Sequence, residues 1–291
     1  MKIVAVGDFD CTDNTNQIFE NIKSQNPDLV LGLGDFSYDS KLDCFTSLIE
    51  KIDPNLKNIF KVVIGNHDDE EKLKEKAKDF IDNIRENFGL GEKRYYSFNL
   101  KNVLFLMLYS TNRSKLYDRN SQQYKDIEKI LSDAKSDPTI AWKIACYHKT
   151  TLTSDDDHDP EYDFGKIYHP LFEEHGIDLI LTGHNHNYQR SKVVKTGSGQ
   201  VKRPEVTQQV ENRSGPFDTR KGIIHIVSGT GGHELRGFDN DKPEYYIETR
   251  IEDYGFFMLE ITDGNTMKCT FMPNNGEDRN RDEFTILKSP V

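Results

Sequence analysis

Five short apolar runs in this chain each end at a turn carrying a side chain that can hold a metal ion or a proton, and this series constrains the fold more than any other feature. Run 3–6 is followed by Gly7-Asp8, run 29–33 by Gly34-Asp35-Phe36-Ser37-Tyr38, and run 59–64 by Gly65-Asn66-His67-Asp68. Run 140–146 leads to Tyr147-His148, and run 177–181 leads through Thr182 to Gly183-His184-Asn185-His186. These runs, and a sixth at 103–108, are rich in Ile, Val or Leu and read as buried strands. Polar stretches with helical periodicity lie between them, at 14–25, 70–87 and 122–135. The alternation predicts βα units around a buried sheet. Ligands bind such sheets beyond the carboxyl ends of the strands, so neighbouring strands would bring these turns together. A glycine before the functional residue lets the backbone turn sharply and approach a ligand.

Beyond residue 186 the texture changes. Segment 196–222 is rich in Gly, Ser, Thr, Arg and Lys and reads as a long loop or irregular hairpin. Strand-like runs resume at 222–227, 245–250, 255–261 and 266–272, with Asp263-Gly264-Asn265 a good hairpin turn between the last two. The second half is therefore expected to be β-rich and antiparallel. No repeat or linker interrupts the chain, which predicts one domain, 1–291, built on two packed sheets.

The formal net charge of -11 and the absence of a long Lys/Arg block argue against general nucleic-acid binding. Cys11, Cys44, Cys146 and Cys269 show no CxxC pairing, so neither a zinc ribbon nor a disulfide framework is expected, and a reducing compartment is the simplest reading. The opening apolar run is too short for a membrane span or a signal core. The sequence as given reads as cytoplasmic; a secreted protein stripped of its leader would read the same.

Carboxylates, imidazoles, an amide oxygen and a phenol suit hard or borderline cations such as Fe, Mn and Zn. A shared carboxylate can bridge two ions about 3.5 Å apart, as in two-metal hydrolases. The ordered motifs Gly7-Asp8, Gly34-Asp35 with Tyr38, Gly65-Asn66-His67-Asp68, His148 and Gly183-His184-Asn185-His186 resemble those of the calcineurin-like metallophosphoesterases. Within that superfamily the chain most resembles the purple acid phosphatases. The first motif lacks the Asp-x-His histidine found elsewhere in the superfamily, while Tyr38 stands in the GDxxY position. Gly183 to Arg190 is similar to GHxHxYxR, and Ser228 to Gly232 is similar to a late glycine-rich turn of these enzymes.

The resemblance spans roughly residues 1–235 and implies an α/β fold, a four-layer α/β/β/α sandwich of two mixed sheets flanked by helices. It implies that Asp8, Asp35, Tyr38 and His186 hold a first ion, Fe(III) in the family. Asp35, Asn66, His148 and His184 would hold a second, divalent one (Fe, Zn or Mn), with Asp35 bridging. A trivalent and a divalent ion leave excess positive charge after two aspartates, a phenolate and a hydroxide are counted; two divalent ions leave none. The implied reaction is phosphomonoester hydrolysis, with a metal-activated hydroxide attacking phosphorus in line. His67 is the candidate acid for the leaving alkoxide and His158 a second one. Asn66, His67 and His158 are the candidate substrate contacts. His158 lies in an acidic loop, Thr153 to Asp159, that departs from the histidine-rich loop of the resembled enzymes. The expected partner is a small phosphorylated substrate, with no membrane; the sequence leaves oligomeric state open.

Other readings are weighed beside these. Taken singly, each Asp or Asn could be a helix cap. The same core could serve a phosphodiesterase or nucleotide hydrolase with a divalent pair such as Mn, or a metal-binding scaffold without turnover. His225 reads as a sheet residue, His175 as a helix end, and His169 before Pro170 as a helix start. Asp10 reads as structural, Asp68 as a cap of the following helix, Arg190 as a structural ion pair and Trp142 as packing. His233, after the glycine-rich turn, is a further candidate to reach the site.

Overall fold

The computed structural model describes residues 1–38, 42–69, 74–111, 117–155, 158–197, 199–209, 212–238, 242–276 and 280–288. In chain order its first half runs β1 (Lys2–Val6), α1 (Asp13–Gln25), β2 (Leu29–Gly32), α2 (Leu42–Ile52), α3 (Pro54–Asn58), β3 (Phe60–Val62), α4 (Lys74–Phe88), β4 (Tyr96–Leu100), β5 (Val103–Met107), α5 (Gln122–Lys135), β6 (Trp142–Cys146), α6 (Tyr162–Glu174) and β7 (Leu179–Thr182). Then follow β8 (Tyr188–Ser191), β9 (Val193–Lys195), β10 (Glu205–Gln208), a 3₁₀ turn (Thr219–Lys221), β11 (Ile224–Ser228), β12 (Ile247–Ile251), β13 (Gly255–Ile261), β14 (Thr266–Pro273) and β15 (Asp282–Leu287).

Two mixed sheets pack face to face. The first has the order β15-β14-β13-β1-β2-β3 and the second β12-β8-β11-β7-β6-β5-β4. Their inner faces share a core that includes Ile3, Leu31, Phe105, Trp142, Leu181, Phe257 and Phe271. Outside the first sheet, Ile18, Phe19, Phe45, Ile81 and Ile84 of α1, α2 and α4 cover Val4, Val30 and Val62. Outside the second, Ile127 and Leu131 of α5 and Phe164, Tyr168 and Phe172 of α6 cover Leu106, Ala145 and Ile180. The result is the four-layer α/β/β/α arrangement.

Local chemistry explains the helix starts. Thr12 accepts from the Thr15 amide at the head of α1, and Ser121 does the same for Tyr124 at the head of α5. β1, β2 and β3 are parallel neighbours, as are β6 and β7, so the turns carrying the candidate ligands emerge at strand ends that share a direction within each sheet.

Three sequence expectations change. The second half is not wholly antiparallel: β11 pairs in parallel with β7 and antiparallel with β8. Of the two readings of segment 196–222, the irregular hairpin agrees with the structure: its strand β10 pairs antiparallel with β9 across a register shift. His169 and Pro170 lie inside α6 rather than at its start, because the buried Phe164, Tyr168 and Phe172 extend the helical face across the proline. Cys11 and Cys44 form a disulfide, which composition without a spacing signature had concealed; Cys146 and Cys269 are free and buried. The helix read at 70–87 begins at Lys74 in the structure, and residues 70–73 lie outside the described ones. Among the described residues no helix is long and apolar enough to cross a membrane.

Candidate metal centre

The site forms where turns from the two sheets meet. Asp8 follows β1, Asp35 and Tyr38 follow β2, Asn66 and His67 follow β3, His148 follows β6, and His184 and His186 lie between β7 and β8. Three of the five non-glycine residues with positive φ among those described are Asp8 (60°), Asp35 (52°) and His184 (73°). Left-handed backbone is disfavoured for L-residues, so its concentration in candidate ligands marks a functional turn. Gly34 (φ 91°) is required here for a second reason: a Cβ on it would lie 2.7 Å from His148 Nδ1.

Hydrogen bonds within the chain fix these turns. The Asp68 carboxylate accepts from the amides of Asp35 (2.9 Å), Phe36 (2.9 Å) and Gly65 (2.7 Å), stapling the turn after β2 to the turn after β3. Asp68 therefore joins two loops; the expected cap falls at residues 70–73, which lie outside the described ones. Asp35 Oδ1 accepts from the His67 amide at 2.8 Å, and Asp8 Oδ2 from the His184 amide at 2.7 Å. Each carboxylate thus spends one oxygen on a neighbouring turn and keeps the other for the centre.

Two groups of donor atoms result. In the first, the Tyr38 hydroxyl is 3.1 Å from Asp8 Oδ1 and 2.8 Å from His186 Nε2, which is itself 3.5 Å from Asp8 Oδ1. His186 Nδ1 donates to the Glu234 carbonyl at 2.9 Å, leaving the Nε2 lone pair facing inward. One hydroxyl proton cannot satisfy both acceptors, and a cation would. In the second, His148 Nδ1 donates to the Leu33 carbonyl at 2.8 Å, and Nε2 lies 3.1 Å from both Asp35 Oδ2 and Asn66 Oδ1. Ligand atoms of Asp35, His148 and His184 all fall within 4.8 Å of one another. The residues present fit a pair of hard or borderline cations.

The electrostatics agree with that fit. Burial, with Asp35 adding to it against the opposing charge of His148, pushes the Asp8 carboxyl up to about 7. Burial works against charge on His148, but the Asp35 carboxylate outweighs it and holds the imidazole up at about 9. Burial likewise opposes ionisation of Asp35, yet His148 keeps that carboxyl below its ordinary range. A proton on His148 sits where a cation would otherwise balance the carboxylates. Burial lowers His186 to about 3 and puts His184 well below its ordinary value, so both imidazoles are neutral and ready to ligate. Burial and the charges of Asp8 and Asp35 raise the Tyr38 phenol far above its ordinary value, so only added positive charge could ionise it.

Around these donors stand the other candidates. The His67 ring is 4.4 Å from that of Tyr38, tilted by 45°. His158 stacks on His184 at 4.4 Å and 17°, and its Nε2 is 3.2 Å from Arg236 Nη1. Arginine can only donate, so that imidazole nitrogen accepts. Arg236 also donates its amide to the His186 carbonyl at 3.0 Å. Sequence reasoning missed Arg236; the available signal was a lone cation just past the glycine-rich turn. His233 lies against Tyr38, and Asp10 lies against His233. Arg190 is fully buried away from these donors, in a two-pronged pair with Asp282 (2.6 and 2.9 Å), and His225 is buried in β11.

Comparison with known proteins agrees with this geometry. Residues 1–188 match the calcineurin-like phosphoesterase family, and the chain belongs to it. Residues 222–281 match the iron/zinc purple acid phosphatase-like protein C region, and purple acid phosphatases are among the homologues and fold neighbours. Purple acid phosphatase 18 of Arabidopsis thaliana is 27% identical over 305 residues, covering 100% of this chain and 64% of that protein. A nucleotide pyrophosphatase/phosphodiesterase of Hordeum vulgare is 26% identical, covering 94% of this chain and 75% of that protein. A probable inactive purple acid phosphatase of Arabidopsis thaliana is 26% identical, covering 95% of this chain and 46% of that protein. An uncharacterised Mycobacterium tuberculosis protein is 29% identical over 147 residues, 47% of this chain and 27% of its own length. The chain thus spans about a quarter of that relative and less than two thirds of purple acid phosphatase 18. Among solved structures, a purple acid phosphatase from yellow lupin (Lupinus luteus) seeds shares the fold, with a TM-score of 0.79, 20% identity, and coverage of 99% of this chain and 53% of that one. The family uses two metal ions.

Proposed function

We propose that this chain is a phosphomonoesterase of the purple acid phosphatase type, folded as one domain over residues 1–291. The observation that carries the reading is the pair of inward-facing donor groups, Asp8–Tyr38–His186 and Asp35–Asn66–His148–His184. The first group would hold Fe(III) and the second a divalent ion, Fe, Zn or Mn, with Asp35 shared. Bound there, the two cations would supply Lewis acidity and an acidified water near neutral pH.

The chain's own residues do the rest. Asn66, His67 and His158 contact the phosphoryl group, and the neutral His184 and His186 leave their charge state unchanged on loading. In hydrolysis a P–O bond forms to water while the ester P–O bond breaks, and the leaving alkoxide must take a proton. His67 is the donor in this reading. His158 is the weaker acid candidate, because its Nε2 accepts from Arg236. Its role is a substrate contact over His184. The Cys11–Cys44 disulfide supports an oxidising compartment, and hence a secreted protein over a cytoplasmic one.

A second reading is phosphodiester or nucleotide hydrolysis with a divalent pair, favoured by the barley relative. After reconstitution with iron and a divalent metal, rates on nitrophenyl phosphate and bis-nitrophenyl phosphate separate the two. Faster monoester cleavage by a purple or pink protein supports the first reading. A colourless protein that binds two ions and prefers the diester overturns it. Two bound ions without turnover on either ester would make the chain a scaffold.

A further inference from the structure

Two residues beside the first donor group, His233 and Asp10, have no part in the chemistry above; His233 lies against Tyr38 and Asp10 lies against His233. The His233 ring lies flat on the Tyr38 ring, with centroids 3.5 Å apart and planes 9° from parallel. It meets the His186 ring edge-on at 4.9 Å and 90°. His233 Nδ1 is 3.1 Å from Asp10 Oδ2, and both side chains are 24% exposed. One imidazole therefore touches both aromatic groups of the first donor cluster and is anchored at its far side.

The anchor is itself fixed from several directions. Cys11 donates its amide to Asp10 Oδ1 at 2.8 Å, and Asp10 donates its own to Thr15 Oγ1 at 3.3 Å. Cys11 is tied through the disulfide to Cys44 in α2, the helix that follows the Tyr38 loop. The His233 amide donates to the Asp8 carbonyl at 3.1 Å. Thr12 and Thr15 hydroxyls donate to the carbonyls of Gly232 (2.9 Å) and Gly231 (3.0 Å), locking the glycine-rich turn to the head of α1. The next residue, Glu234, supplies the carbonyl that orients His186.

A phenol ligand on a loop needs its ring held, since rotation about Cα–Cβ swings the oxygen out of reach, while rotation about Cβ–Cγ leaves the oxygen in place but turns its lone pairs with the ring plane, and a ring stacked on its face opposes both. Groups that orient ligands from behind typically change metal affinity by about 10- to 100-fold. We propose that His233, held by Asp10, is a positioning residue that sets the plane of Tyr38 at the first metal position. The proposal rests on the reading of Tyr38 as a ligand of that position.

The test is a two-site metal titration of the full chain, followed by calorimetry and by the visible band of the iron-loaded protein. The variants are His233→Ala, His233→Phe, Asp10→Ala and Tyr38→Phe. His233→Ala and Asp10→Ala are expected to weaken the first site about 10- to 100-fold and shift the band, with second-site affinity unchanged. His233→Phe keeps a ring but loses the anchor, and is expected not to restore the first site. Equal weakening of both sites, or none, overturns the proposal, as does full rescue by Phe. A Tyr38→Phe protein with normal first-site affinity would instead refute the ligand reading, and the positioning role would fall with it. Thermal midpoints for each variant separate a misfolded protein from a selectively weakened site. If His233→Ala fails to fold, Asp10→Ala carries the same comparison.

Discussion

Acid sensitivity of the fold can be worked out from His169. This residue is fully buried in α6. Its Nε2 is 2.9 Å from Thr151 Oγ1, its ring is 4.9 Å from that of His225, and its Nδ1 has no partner among the described residues. A second ring proton would have no acceptor, and burial accordingly lowers the group to about 3. The unfolded chain protonates first, near the ordinary value of about 6.5. The neutral imidazole therefore contributes stability that is present above about pH 6.5 and is lost as pH falls from there towards about 3. Between about pH 7.5 and about pH 5 the linkage integral for such a shift is about 2 kcal/mol. Urea denaturation of the wild type and of His169→Gln at both pH values reads it directly. The wild type should lose about 2 kcal/mol more than the variant, since carboxylate titrations common to both cancel. Equal losses in the two proteins would refute the argument and mean that His169 finds a proton acceptor when charged.

Asp35→Asn should abolish binding of both metal ions, since it alters the shared carboxylate; retention of either ion at full affinity, by metal analysis after dialysis, would exclude the bridging role. Arg190→Met leaves the Asp282 carboxylate buried without its partner and should cost about 3–5 kcal/mol in denaturant unfolding; a loss below about 1 kcal/mol would show that the pair is dispensable. Removing the Cys11–Cys44 link, which closes a loop with a sequence separation of 33, should lower stability by about 2–4 kcal/mol, and Cys11→Ser should match reduction of the wild type. His67→Ala should cut turnover strongly while metal content stays normal, and unchanged turnover would remove it as the acid.

The candidate donor residues stood out because they occupy turns after apolar runs, four of the five carrying a glycine, a pattern that needs no knowledge of packing. Helix 122–135 was legible for a similar reason, since its apolar period is uninterrupted. β8 was not: Tyr188-Gln-Arg-Ser191 carries no apolar run and was not singled out as a strand, yet all four are buried, with Arg190 paired to Asp282 and Gln189 bonded to Thr153 and Ser154. Polarity signals exposure only when no partner is waiting, and partners distant in sequence are invisible to a local reading. The same holds for Cys11 with Cys44, for Asp10 with His233, and for Asp68, whose amide donors sit on two different turns. Pro170 misled because a proline usually opens a helix, whereas the tertiary contacts of Phe164, Tyr168 and Phe172 carry α6 past it.

The three left-handed turn residues and the Asp68 staple have a consequence for how the protein meets its metals. The loops are held by bonds between parts of the chain, so their shape is set when the sheets close and not when an ion arrives. Folding and loading are then separate events, unlike those of a small zinc domain whose chain is ordered only by its ion. On the proposed reading of these residues as ligands, such a site should be stripped of its ions and refilled without unfolding of the chain.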